Sequence, residues 1–229
     1  MTNPIIVALD VGDEINALDI VEELRGVIDF YKVGLQLYLA EGGKIVKVLQ
    51  ALDKKVFLDL KFFDIPNTVY EAVKQALRLK PDMLTFHCLG GEEMLKAAVK
   101  AKNEAGAHTN LLGVTMLTSM EKEELSVKDE SSFVLKMAQR AKDAGLDGVV
   151  CSPEDASKIR KIFGGNFLII CPGIRKGVSK DDQKRTGSPK ETIEAGADYL
   201  VVGRPILLSS NKRLTAEEIL KSTKRSTNG

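Results

Sequence analysis

Short apolar runs alternate with longer amphipathic stretches from one end of the chain to the other. The runs fall at 4–10, 29–34, 55–60, 82–87, 109–117, 147–151, 167–172 and 198–203. Each has the length of a strand, and most are rich in Val, Ile, Leu and Phe, as parallel strands covered on both faces are. Between them apolar residues recur at helical spacing, as in 14–25, 69–79, 92–105 and 132–144. Glycines in Ala105-Gly106, Ala144-Gly145 and Ala195-Gly196 mark helix stops. Eight strands alternating with eight helical segments predict a parallel α/β fold. The 229 residues allow about 29 per unit, the size of a βα repeat with short loops. A single closed (β/α)8 TIM barrel over residues 1–229 fits that count better than an open sheet. The tail from Ser222 to Gly229 reads as a helix end followed by disorder.

Composition narrows the class. With 44% hydrophobic residues the chain can fill a sizeable core. Lys plus Arg number 33 against 32 Asp plus Glu, a net charge of +1, which argues against a broad nucleic-acid-binding face. No apolar run has the length a bilayer demands, and Met1-Thr2-Asn3-Pro4 does not begin a secretory signal. Cys88, Cys151 and Cys171 are widely spaced and form no C-x-x-C pair, so a reducing cytosol is the expected compartment.

In a barrel of this kind chemistry sits at the C-terminal ends of the strands. The first run ends in Asp10, the second carries Lys32, and the third reads Phe57-Leu58-Asp59-Leu60-Lys61. Side chains alternate along a strand, so Asp59 and Lys61 are expected at the mouth while Leu58 and Leu60 face the helices. By the same rule Ile6 and Ala8 align with Asp10, and Phe30 with Lys32. Asp64 follows in the turn before Pro66. A lysine flanked by carboxylates stays protonated, which makes it a proton donor to a carbanion rather than a base. The plainer reading is a structural Asp59–Lys61 ion pair, with Asp64 capping the next helix.

A second cluster follows runs seven and eight. Cys171-Pro172-Gly173-Ile174-Arg175 leads into a polar loop with Gln183, and Val202-Gly203-Arg204-Pro205 leads into a helix. Glycine and arginine at a helix N-terminus in this position suit a phosphate. The alternative is an ordinary glycine turn with a surface arginine, and the lysine-rich loop around Arg175 reads equally as solvated. His87 fits a hydrogen-bonded structural role, His108 precedes strand five on the wrong face, and the two give no metal cluster.

The stretch Asp59-Leu60-Lys61-Phe62-Phe63-Asp64-Ile65-Pro66-Asn67-Thr68 resembles the signature of the orotidine 5′-phosphate decarboxylase family. The likeness extends through Val7-Ala8-Leu9-Asp10, Tyr31-Lys32-Val33-Gly34, Leu117-Thr118-Ser119, Asp182-Gln183-Lys184-Arg185 and Tyr199 to Ile206. It implies cofactor-free loss of CO2 from C6 of the orotate ring, the last step of UMP synthesis. Lys61 would then protonate the C6 carbanion beside Asp59. Lys32 would join Asp59 and Asp64 into one network and, with Asp10, touch the ribose. Thr118 and Gln183 would meet the pyrimidine, Pro172 would also contact substrate, and Arg175, Gly203 and Arg204 would hold the phosphate end. The resemblance further implies a homodimer in which Asp64, Ile65 and Thr68 complete the neighbour's site. The D-x-K-x-x-D core is shared with sister barrels that use Mg2+ on sugar phosphates, but those carry a glutamate where this chain has Lys32. A catalytically silent nucleotide-binding barrel is the non-enzymatic alternative.

Overall fold

All eight apolar runs form strands in a computed structural model of the chain, which describes residues 3–117, 119, 129–174 and 186–223. The strands are β1 (Ile5–Ala8), β2 (Phe30–Gly34), β3 (Lys55–Phe62), β4 (Met83–His87), β5 (Asn110–Val114), β6 (Gly148–Val150), β7 (Leu168–Cys171) and β8 (Tyr199–Val202). The helices are α1 (Glu14–Glu23), α2 (Leu35–Glu41), α3 (Gly43–Ala51), α4 (Pro66–Leu77) and α5 (Glu92–Glu104), followed by α6 (Glu130–Asp143), α7 (Pro153–Phe163), α8 (Pro189–Glu194), α9 (Arg204–Leu207) and α10 (Lys212–Ser222). The strands pair in chain order, all parallel, and β8 closes onto β1 with Ile6 opposite Val201. This is the (β/α)8 barrel that the alternating pattern predicts.

The strands carry apolar side chains on both faces because both faces are covered. Ile6, Phe30, Phe57, Met83, Leu112 and Ile170 fill the barrel interior. Val7, Tyr31, Leu58, Leu84 and Val149 point outward, where they pack with Val73, Leu95, Met137 and Ile159 of the helices. Burial of these outward side chains is what fixes the helices on the barrel, at about 1.5–3 kcal/mol for each large residue.

Three boundaries differ from the periodic reading. β3 runs on to Phe62, because its end is irregular and not simply alternating. β5 stops at Val114, although the apolar run continues: Met116 and Leu117 go on to form cavity wall, which periodicity does not distinguish from strand. α4 starts at Pro66, three residues before the first apolar position of its repeat. Proline lacks an N–H and has a fixed helical φ, so it suits a first turn that needs no apolar contact.

At the N-terminal rim an aspartate precedes β4, β6 and β8, and each clasps the strand before it. Asp82, Asp147 and Asp198 donate their backbone N–H to the carbonyls of Val56, Leu111 and Ile169 at 2.8–2.9 Å. Their carboxylates accept the N–H of those same residues at 2.8, 2.7 and 2.8 Å. Lys102 and Arg160 then neutralise Asp147 and Asp198 at 2.7 and 2.6 Å. These bonds satisfy strand-end amides and hold register at the rim opposite the mouth.

Candidate active site

At the C-terminal end of the barrel lies a cavity of about 290 Å³. Its charged residues follow or lie on β1 to β3, its floor comes from Ala8, Val114, Val150 and Val201, and Pro172, Gly173, Gly203 and Arg204 complete the wall. The charged residues form an alternating row. Asp10 Oδ1 accepts from Lys32 Nζ at 3.0 Å, Lys32 Nζ lies 3.5 Å from Asp59 Oδ2, and Lys61 Nζ donates to both Asp59 oxygens at 2.9 and 2.8 Å. The lysine and aspartate side chains differ in access: Lys61 is 33% exposed, Lys32 12% and Asp59 10%. Lys61 is therefore the cation of the row best placed to meet a ligand.

The row holds its charges against burial. Burial favours the neutral form of Lys32, but Asp59 and Asp10 outweigh it and raise its pKa above the ordinary lysine value. Burial likewise pushes the Asp59 carboxyl up, and Lys32 and Lys61 more than reverse it, aided by hydrogen bonds from Lys61 and Thr85. Asp59 is thus an ionised carboxylate with its oxygens already engaged. Space for the Lys32 ammonium depends on Gly34, where an added Cβ would stand 2.8 Å from Nζ.

Lys61 does not follow simple strand alternation. Its φ is +50°, and β3 slips against β4 so that Leu58 pairs with Leu84 but Phe62 with Phe86. Three residues of β3 thus stand opposite Thr85 alone, a bulge that re-aims the lysine toward Asp59. The Lys61 N–H donates to Thr85 Oγ1 at 2.9 Å, and Thr85 Oγ1 donates to Asp59 Oδ1 at 2.9 Å. Thr85 is a site residue that sequence reasoning missed, since a threonine in an apolar run reads as an ordinary strand former.

Next to Asp10, whose Oδ2 would lie 3.5 Å from an added Cβ, Gly203 caps the N-terminus of α9, which begins at Arg204 with Pro205 in its first turn. The chain leaves the mouth at Ile174 and returns at Gly187, and these two residues bridge each other there. Arg175 and Gln183 lie outside the described residues. So does Thr118, whose neighbours Leu117 and Ser119 line the cavity.

Asp64, Ile65 and Thr68 are not among the described residues lining this cavity. Phe63 to Thr68 form an unbroken exposed stretch beyond the end of β3. Asp64 accepts from the Ile65 N–H at 2.7 Å, and Ile65, not Asp64, is the N-cap of α4. The simple capping alternative for Asp64 is therefore not what the structure contains. His87 is a buried residue whose Nδ1 accepts from the Leu89 N–H at 3.3 Å and whose ring lies 5.7 Å from Phe63. His108 is exposed just before β5, at the rim away from the mouth. Among the described residues no cluster of His, Cys, Asp and Glu could hold a metal ion, and no helix is long and apolar enough to cross a membrane.

Comparison with known proteins agrees with this arrangement. A decarboxylase from Carboxydothermus hydrogenoformans, orotidine 5′-phosphate decarboxylase by name, is 48% identical over 96% of each chain. One of the same name from Wolbachia pipientis is 46% identical over 96% of this chain and 98% of its own. The crystal structure of orotidine 5′-phosphate decarboxylase from Lactobacillus acidophilus superposes with a TM-score of 0.86 at 37% identity, covering 97% of this chain and 100% of that one. The profile of one family matches residues 3–219. By that match and those identities, the chain belongs to the orotidine 5′-phosphate decarboxylase / HUMPS family.

Proposed function

We propose that this chain decarboxylates orotidine 5′-phosphate to UMP with its own fixed charges, using neither metal nor organic cofactor. The observation that carries the reading is the Asp10–Lys32–Asp59–Lys61 row lining one cavity with Gly203 and Arg204 over an apolar floor. Breaking the C6–carboxylate bond leaves an electron pair in the ring plane, where no π system spreads it. A fixed ammonium stabilises that charge as it develops, without reorganisation. Lys61 then transfers a proton from Nζ to C6, and Asp59 stands beside the departing carboxylate. Asp10 and Lys32 meet the ribose, while Pro172, Gly203 and Arg204, with Arg175, Thr118 and Gln183, serve the pyrimidine and phosphate ends. Binding energy from the remote phosphate then contributes to the chemical step.

The Lys32 ammonium occupies the space between Asp10 and Asp59 that a divalent ion would need, which supports the metal-free reading over a sister barrel with an enediolate chemistry. A homodimer is part of the proposal. Phe63 and Ile65 are 61% and 67% exposed on either side of Asp64. Leu35 and Leu39, on one face of α2 after the neighbouring strand, are also exposed. An interface over these side chains would carry Asp64, Ile65 and Thr68 to the partner's mouth. Cysteine usage supports a cytosolic location.

The test is loss of orotate absorbance when orotidine 5′-phosphate meets metal-stripped protein. Excess EDTA should leave turnover unchanged, and phosphate-free orotidine should be a far poorer substrate. Lys61→Ala should lower kcat by roughly ten-thousand-fold or more in a folded protein, since it removes both the proton donor and a charge. Activity that collapses in EDTA and returns with Mg2+, or survives in Lys61→Ala, overturns the mechanism.

A further inference from the structure

Several threonine hydroxyls are buried in this barrel, and most of them only satisfy themselves. Thr115 donates to the Val150 carbonyl at 3.1 Å and Thr109 to the Pro81 carbonyl at 2.7 Å. Thr85 differs. It is fully buried between Leu84 and Phe86, whose side chains pack outward, so its own side chain points inward at the level of the charged row. A hydroxyl has one proton to give and lone pairs to receive. Thr85 uses both on the site: it accepts the Lys61 N–H and donates to Asp59 Oδ1, each at 2.9 Å. Because the carboxylate is only an acceptor and the amide only a donor, the direction of both bonds is fixed.

The two bonds sit where the strand ladder fails. Between the Leu58–Leu84 and Phe62–Phe86 pairs, the amide of Lys61 has lost its place in the ladder, and its φ of +50° is costly for a residue with a side chain. A part-buried amide that has left the ladder needs another acceptor, and Thr85 supplies one. Valine would fill the same volume and suit a strand as well, but would offer neither bond.

We propose that Thr85 is a positioning residue for the charged row: its one hydroxyl fixes the Asp59 carboxylate toward both lysines and pins the backbone turn that aims Lys61. The kinetic part of this inference rests on the decarboxylase reading, while the geometric part does not. Thr85→Val removes both bonds at nearly constant volume, and Thr85→Ser restores the hydroxyl. Turnover of orotidine 5′-phosphate and the pH titration of the Asp59 carboxyl carbon by NMR are measured on each variant. Thr85→Val should lower kcat by about 10- to 100-fold with KM held within about 3-fold, as expected for two lost bonds that orient the reacting groups. Its Asp59 should titrate at higher pH, because the hydroxyl donor stabilises the ionised form. Thr85→Ser should recover most of kcat and the wild-type Asp59 titration. Where the valine variant does not fold, Thr85→Ala makes the same comparison with serine. A valine variant unchanged in both kcat and Asp59 titration overturns the proposal, as does a serine variant no better than valine or a loss confined to KM. A wild-type protein without turnover removes the decarboxylase reading, and the titration then decides the role of Thr85 alone.

Discussion

His87 stands beside the charged row without joining it. Burial lowers its pKa below the ordinary value of 6.5, and the positive charge of Lys61 adds to the effect. Its Nδ1 accepts a hydrogen bond, so protonation there would also break that contact. The sign of the consequence follows. Above pH 6.5 the ring is neutral in both the folded and unfolded chain and contributes no pH dependence. As pH falls below 6.5 the unfolded chain takes up the proton first, and stability declines until the folded ring titrates too. Denaturant unfolding between pH 7.5 and 5 should therefore show a steeper loss for wild type than for His87→Gln, with the variant within about 1 kcal/mol of wild type at pH 7.5. Equal slopes would remove His87 as the source. Asp59 does not confuse the measurement: its lowered carboxyl gives stability that is complete above 3.8 and is lost only as pH drops through its folded value. At this scale the sequence was a good guide to Asp10, Lys32 and Asp59, because the two-residue strand period is strict up to the bulge. It was silent on Thr85, whose partners lie 24 and 26 residues away and whose residue type is common in any strand.

Strand β6 is three residues long and begins with a glycine that the apolar pattern treats as a gap. Gly148 faces inward, in register with Leu112 and Leu168 on its two neighbours. A Cβ there would stand 2.3 Å from the Leu168 carbonyl oxygen and 2.5 Å from its Cβ. The interior of a narrow barrel alternates large and small residues, and Leu168 takes the volume that Gly148 leaves. Gly148→Ala should thus destabilise the protein by about 1–3 kcal/mol in urea unfolding. Truncation of Leu168 should not rescue it, since the nearest atom is backbone. Rescue by Leu168→Ala would show that side-chain crowding alone is at work. Element order and helix faces were legible because apolar periodicity reports burial directly. The ends of β3, β5 and α4 were not, because a bulge, a cavity wall and a proline first turn each break the link between apolar pattern and element.

At the scale of the whole molecule, Asp64 lies three residues past Lys61 in sequence, exposed and outside the lining of the cavity that Lys61 enters. A two-fold dimer makes any exchange across its interface reciprocal. Mixed Lys61→Ala and Asp64→Ala subunits would then form hybrids in which one site carries both lesions and the other carries neither. A random mixture holds about half hybrids, so activity should recover to about a quarter of wild type. If subunits exchange and the mixture stays as inactive as its parents, Asp64 acts within its own chain.

The aspartate clasps of the N-terminal rim bear on how freely this protein can change. Asp82, Asp147 and Asp198 fix neighbouring strands in register through bonds a full strand length from the cavity. Substitutions in the two places share no partners, so their effects on stability should add rather than interfere. A lineage can therefore exchange one mouth residue for another, and with it one substrate for another, without having to specify the barrel again.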